Sequence, residues 1–309
     1  MVQLLDPKID VIFKDFFGDI NSKDILESFI NAVLGLEGDD QIEVEAFLDP
    51  RKQRVDIGRP STFVDLSVKT RKGERYIIEM QTYNHKGFDK RLLYYLGKDY
   101  TEQIDYIEEE KKRRLIDWQE LPKVHIIAIT DFHRSEREQD GILNDREVVE
   151  TYTFSPEFSK MNAHIFNQWK ATIVDLKKFG EQTLEKLITI KERWFYLLKN
   201  ASLLEEKDTQ ALKQEGVFKH ALERLEHLSS DPKKRKAYEE SINDLRNEQA
   251  LLLSAEEKGL MRGLEEGRNE GLEEGKRQIA LKMLEEGFDV AQIAKLSGLS
   301  IEEIQSLKI

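Results

Sequence analysis

The sequence predicts an α/β protein: a mixed β-sheet flanked by helices, followed by an all-helical C-terminal extension. Three observations predict it. Over the first 200 positions, apolar residues switch between helical spacing and short extended runs. VHIIAIT at 124–130 is almost continuously apolar, as a central strand covered on both faces is. Beyond about residue 200, charged helical patterns dominate, with glycine at every fourth position over Gly259, Gly263, Gly267, Gly271 and Gly275.

The elements follow in order. A short helix near the N-terminus would carry Asp10 and Lys14. NSKDILESFINAVLG reads as a second helix, with Asn21 as cap and Asp24 near the positive end of the dipole. Ile25, Leu26, Phe29, Ile30, Val33 and Leu34 recur at helical spacing, and Gly35 fits the C-terminal cap. IEVEAFL at 42–48 alternates like a strand. FVDLSVKT and RYIIEMQ read as a hairpin around Arg71, Lys72 and Gly73, the glycine supplying the left-handed residue of a three-residue loop. FDKRLLYYLGKDYTEQI at 88–104 is helical, with Leu92, Leu93, Leu96 and Tyr100 as its buried face. EVVETYTF and ATIVDLKKF are further strands, and TLEKLITIKERWFYLLKNA is a helix. Asp231 and Pro232 fit a cap and first helical residue. The glycine repeat reads as a flexible charged connector or as a surface for close backbone approach. RQIALKMLEEGFDVAQIAKLSGLSIEEIQSLKI reads as three short helices divided by Gly287 and Gly298, with Asp289 and Ser300 as caps. Three regions are expected: 1–200, 201–275 and 276–309.

Composition narrows the function classes. With 48 Lys and Arg against 60 Asp and Glu, the net charge is -12. A protein that coats DNA non-specifically is usually basic, so any nucleic-acid contact here is local or helped by bound cations. There is no cysteine, hence no disulfide and no thiolate metal site. No basic-then-apolar leader and no apolar stretch of membrane-spanning length is evident, so a cytoplasmic protein with no membrane partner is expected.

The chemistry lies in the hairpin. Carboxylates in the middle of strands are unfavourable, yet Asp65 and Glu79 stand there. If Thr70 faces Glu74 across the loop, five steps outward on each strand bring Asp65 opposite Glu79. Opposed side chains lean from one face, and Gln81, two residues on from Glu79, shares it, while Met80 points into the core. Two facing carboxylates suit a hard divalent cation, which keeps several waters and can activate one of them against a phosphodiester. An ordinary ion pair with Arg or Lys is the competing reading.

Asp65, thirteen residues, then Glu79-Met80-Gln81 resembles the PD-(D/E)xK nuclease superfamily, and more closely its Rpn branch, the recombination-promoting nucleases also described as transposases. DPKIDVIFKDFFG, DILESFINAVLG, YIIEMQ, WFYLLKNA, the Glu-Gly repeat and DVAQIAKLSGLSIEEI extend the likeness over most of the chain. The resemblance implies a restriction-endonuclease-like core and a DNA endonuclease whose Asp65 and Glu79 bind Mg²⁺, with Mn²⁺ as the alternative ion. Gln81 would stand where most of the superfamily has lysine. Val64 replaces the motif's proline. Asp10 and Lys14 are accessory candidates, with ordinary capping and surface charge as the plainer reading. Tyr94 and Tyr95 suit base stacking or the core. The KKRR run at 111–114 suits phosphate or a self-paired solvated face. His85, His125 and His133 show no ligand spacing. The last two helices resemble a helix-turn-helix, but Glu302 and Glu303 on the would-be reading helix favour a packing or dimerisation module, and a homo-oligomer through these helices is expected. A catalytically silent, nuclease-derived oligomeric interaction protein is the alternative to an active nuclease.

Overall fold

Helix α1 spans Asp10–Phe17 and α2 Lys23–Leu34. The strands are β1 (Val44–Leu48), β2 (Leu66–Thr70) and β3 (Arg75–Gln81); after α3 (Phe88–Lys111) come β4 (Val124–Thr130), β5 (Val149–Thr153) and β6 (Trp169–Asp175). Helices α4 (Ile190–Asn200), α5 (Glu206–Leu212), α6 (Gly216–Ser230), α7 (Pro232–Glu285), α8 (Val290–Ser297) and α9 (Ile301–Ser306) follow. This computed structural model describes residues 2–48, 64–83, 87–111, 121–132, 147–153, 168–180 and 182–307. Phe63, His85, His133 and residues 112–114 of the KKRR run lie outside the described residues.

The strands form one mixed sheet in the order β1-β2-β3-β4-β6-β5. β1, β2 and β3 are antiparallel neighbours, β3, β4 and β6 run parallel, and β5 closes the far edge antiparallel to β6. Alternation along β4 shows why it is apolar throughout. Ile127 and Ile129 join the core on one face, and Val124, Ile126 and Ala128 the core on the other.

The larger core lies under α1, α2, α4 and α6. Phe17, Phe29, Trp194 and Phe218 interlock there, with ring centroids of Trp194 and Phe218 4.8 Å apart. The Trp194 indole N–H donates to Ser28 Oγ at 3.1 Å, so its one polar atom is satisfied. α6 adds Phe218, Ala221, Leu222, Leu225 and Leu228, all buried. On the opposite face α3 lays Phe88, Leu92, Tyr95 and Leu96 on Ile77 and β4. A buried ion pair, Arg75 Nη1 to Asp99 Oδ1 at 3.4 Å, ties α3 to the start of β3. Leu93, expected on the buried face of α3, is exposed, and Tyr95 takes that place.

Several local readings change. Asn21 sits in a 3₁₀ turn capped by Asp19, and Ser22 is the N-cap of α2, because Asp19 accepts the Asn21 N–H first. Gly35 does end α2 in the left-handed conformation, φ 65°. The glycine repeat is helical. It lies inside α7, which runs unbroken from Pro232 to Glu285 after Asp231 accepts the Lys233 N–H at 2.8 Å. A methyl group on any of the five glycines would meet nothing within 4 Å, so among the described residues no backbone packs against them.

The chain divides into two compact units, Met1–Ile242 and Asn243–Ile309. In the second, Ala280, Ile293, Leu299 and Ile304 form a small core. Asp289 caps α8, and Ser300 with Glu303 makes a reciprocal capping box on α9. Among the described residues, no helix is long and apolar enough to cross a membrane.

Candidate active site at the β2–β3 hairpin

The turn sets the site. Thr70 N–H donates to Glu74 O, and Gly73 N–H to Thr70 O, each at 2.9 Å, with Gly73 at φ +84°. Leu66 then faces Ile78, Ser67 faces Ile77, Val68 faces Tyr76 and Lys69 faces Arg75. Continued one residue outward, this register sets Asp65 against Glu79. The two are cross-bonded through the backbone. Asp65 N–H donates to Glu79 Oε2 at 3.1 Å, and Met80 N–H donates to Asp65 Oδ2 at 2.8 Å. One oxygen of each carboxylate is thereby anchored. Met80 points into the larger core, as its strand parity requires.

Two neighbouring elements complete the surroundings. α1 brings Lys14, whose Nζ lies 3.2 Å from Asp65 Oδ1 and 2.6 Å from Asp10 Oδ1. Asp10 and Lys14 are thus gathered at Asp65, and the Lys14 side chain is 40% exposed. The Asp65–Lys14 contact realises the ion-pair reading in part, but with a cation that solvent can draw away. α3 brings Arg91, whose Nη2 donates to Gln81 Oε1. Arg91 escaped the sequence reading. Its signal was a cation flanking the apolar stripe of Phe88, Leu92 and Tyr95.

The electrostatics are those of crowded carboxylates. Burial, then the Glu79 charge, raises the Asp65 carboxyl well above its usual range. Burial raises Glu79 to about 7, although the Asp65 amide and the Arg91 charge pull the other way. At Asp10, burial works upward but is outweighed by hydrogen bonding with Asp65 and Lys14, so its carboxyl sits low. Burial would lower the Lys14 ammonium, yet the charges of Asp65 and Asp10 outweigh it and hold it high. Tyr95, beneath the site, is raised to about 12 by burial and by the Glu79 charge.

A hard divalent cation fits this donor set. The ligands on offer are carboxylate oxygens whose pKa values burial has raised, and a bound cation would stabilise their ionised form. Among the described residues, no three His, Cys, Asp or Glu side chains are grouped tightly enough to hold a metal by themselves. Asp65 and Glu79 would supply two positions, and water or a phosphate oxygen the rest.

Tyr95 is core, whereas Tyr94 is exposed. His125 is buried, its pKa lowered to about 3 by burial and then by Lys170, and its Nε2 lies 2.8 Å from Thr172 Oγ1. A cavity of about 910 Å³ between α2, Arg71 and Lys72 of the hairpin turn, and the start of α4 includes none of the site residues in its lining.

No curated protein and no solved structure matches the chain. Residues 273–309 match the Rpn/YhgA-like nuclease family C-terminal HTH domain. Residues 7–255 match the PD-(D/E)XK nuclease family transposase model, and on that match, which takes in most of its length, the chain belongs to the PD-(D/E)XK nuclease family transposases.

Proposed function

We propose that this protein is a Mg²⁺-dependent DNA endonuclease that hydrolyses phosphodiester bonds and so promotes recombination or transposition-like events. The observation that carries the reading is the facing pair Asp65 and Glu79, the first held by the Met80 amide and the second by the Asp65 amide, and both raised in pKa by burial. Asp65 and Glu79 would hold the ion, with Mn²⁺ as an alternative. When bound, that ion supplies Lewis-acid stabilisation of the phosphate and a more acidic water. Gln81 orients the water or a phosphate oxygen with its amide, and Asp10 with Lys14 steadies Asp65. The family's helix-turn-helix match supports DNA as the partner.

The terminal helices support a second element of this reading, a homo-oligomer joined through α8 and α9. Leu296 is 70% and Ile301 46% exposed, apolar side chains that a second copy of the chain would cover.

The test is nicking of supercoiled plasmid by the purified protein with Mg²⁺, Mn²⁺ or chelator. Metal-dependent nicking that disappears in Asp65→Ala is the expected result. No cleavage of single- or double-stranded DNA with either metal, or an Asp65→Ala variant as active as the natural chain, overturns the reading in favour of a silent interaction protein.

A further inference from the structure

The amide of Gln81 is not free to work in either direction. It has one acceptor, Oε1, and one donor group, the NH₂. Arg91 Nη2 donates to Oε1. Guanidinium has no acceptor, so the flipped amide would set donor against donor, and the oxygen-to-arginine orientation is the one chemistry allows. The NH₂ is what remains for anything seated beside Asp65 and Glu79.

Arg91 is well placed to enforce this. It lies in the first turn of α3, where its own N–H donates to Gly87 O at 3.0 Å. The helix beneath it is fixed by Phe88, Leu92, Tyr95 and Leu96 in the core. Its Nε is buried without a hydrogen-bond partner, so the contact with Gln81 is the guanidinium's one defined hydrogen bond among the described residues. Charge points the same way. Asp10 and Asp65 are both met by Lys14 from α1. At Gln81 the cation in contact, among the described residues, is Arg91.

We propose that Arg91 is a positioning residue: it holds the Gln81 carbonyl so that the Gln81 NH₂ donates to an anionic oxygen of the bound phosphodiester, and it supplies through that amide the positive charge that glutamine lacks. The role is indirect, since Arg91 reaches the substrate oxygen through Gln81. It rests on the nuclease reading above and extends it to the way this strand end handles phosphate.

Coupling between the two residues is what distinguishes the idea. The full-length chain would be compared with Arg91→Ala, Arg91→Lys, Gln81→Lys and the double variant Arg91→Ala/Gln81→Lys. Three readouts are taken: Mn²⁺ affinity by calorimetry, affinity for a DNA duplex in Ca²⁺ by fluorescence anisotropy, and single-turnover nicking at saturating DNA. Arg91→Ala should leave Mn²⁺ affinity within about threefold, since neither residue is a ligand, and slow nicking on the order of 100-fold, the usual loss of one charge-stabilising donor. Arg91→Lys should fall between, because an ammonium lacks the planar fork. Gln81→Lys alone should be impaired by the facing guanidinium, and should recover most of the lost rate and DNA affinity once Arg91 is alanine. Equal losses from Arg91→Ala in the natural chain and in the Gln81→Lys background overturn the proposal, as does a loss that tracks Mn²⁺ affinity. If the natural chain does not nick but its DNA affinity shows the reciprocal rescue, the nuclease reading fails and the pairing stands. If it nicks and no rescue is seen in either readout, the pairing fails and the nuclease reading stands.

Discussion

Replacing Glu79 by Gln should stabilise the protein at alkaline pH and abolish its response to divalent metal. Glu79 is 5% exposed, and burial moves its pKa from 4.5 to about 7. Folding raises the value, so the folded chain holds this proton more tightly than the unfolded one. The associated stability is fully present below the unfolded value of 4.5 and is lost as pH rises through about 7. At ~1.4 kcal/mol per pH unit, the ionised side chain weakens the fold by about 3 kcal/mol above that range. Glutamine keeps the shape and can still accept the Asp65 N–H, but carries no charge. Urea denaturation of the two chains in chelator, followed by tryptophan fluorescence from the fully buried Trp194, measures the difference. Near pH 4 the stabilities should nearly coincide, and near pH 8.5 the variant should be ahead by about 3 kcal/mol. Saturating Mg²⁺ should raise the natural chain and leave the variant unmoved, with the metal's effect growing as pH rises, because ligation needs the ionised carboxylate. A variant less stable than the natural chain at pH 8.5, or a difference that does not change with pH, refutes the reasoning.

Two further outcomes test the frame around the site. Gly73→Ala should cost about 1–2 kcal/mol in thermal or urea denaturation, because the residue sits at φ +84° where a Cβ strains the backbone, and it should lower nicking by loosening the Asp65–Glu79 register. Leu296→Glu with Ile301→Glu should convert an oligomer to monomers in light scattering at unchanged helicity; a natural chain that is already monomeric at micromolar concentration disproves the oligomer.

The register of the site was legible because it is a local consequence of turn chemistry. Gly73 supplies the left-handed residue, the loop length sets Thr70 against Glu74, and strand parity does the rest as far as Gln81. Nothing comparably local announces that β4 lies beside β3, or that β6 separates β4 from β5. Those adjacencies follow from crossovers whose length the apolar pattern does not encode. Helix α6 looked like part of a charged tail because polar residues outnumber apolar ones there, yet Phe218, Leu222 and Leu225 repeat at helical spacing and are completely buried. The glycine repeat misled in the opposite sense. Five glycines weaken a helix by about 4–5 kcal/mol against alanine, but the Leu, Glu, Arg and Lys between them are good helix formers, and the segment is helix throughout.

Arg91 shows where reading from sequence stops and why the site is more than its carboxylates. Helical spacing says that Arg91 flanks a buried stripe, and nothing more, because the reach of its side chain depends on where α3 crosses the sheet. That crossing is held by the Arg75–Asp99 pair and by Tyr95 in one core with Ile77, between residues with no motif in common. Once α3 is placed, an amide that sequence alone allows to donate and to accept becomes, through its bond to Arg91, a donor. The same logic resolves Asp10 and Lys14. As an i,i+4 pair on α1 they satisfy the plain reading of a helical surface ion pair, and the packing of α1 over the hairpin brings that pair to Asp65 as well. The Lys14 ammonium, 40% exposed, thus meets Asp10 on its own helix and Asp65 on the hairpin at once, and one side chain satisfies both readings.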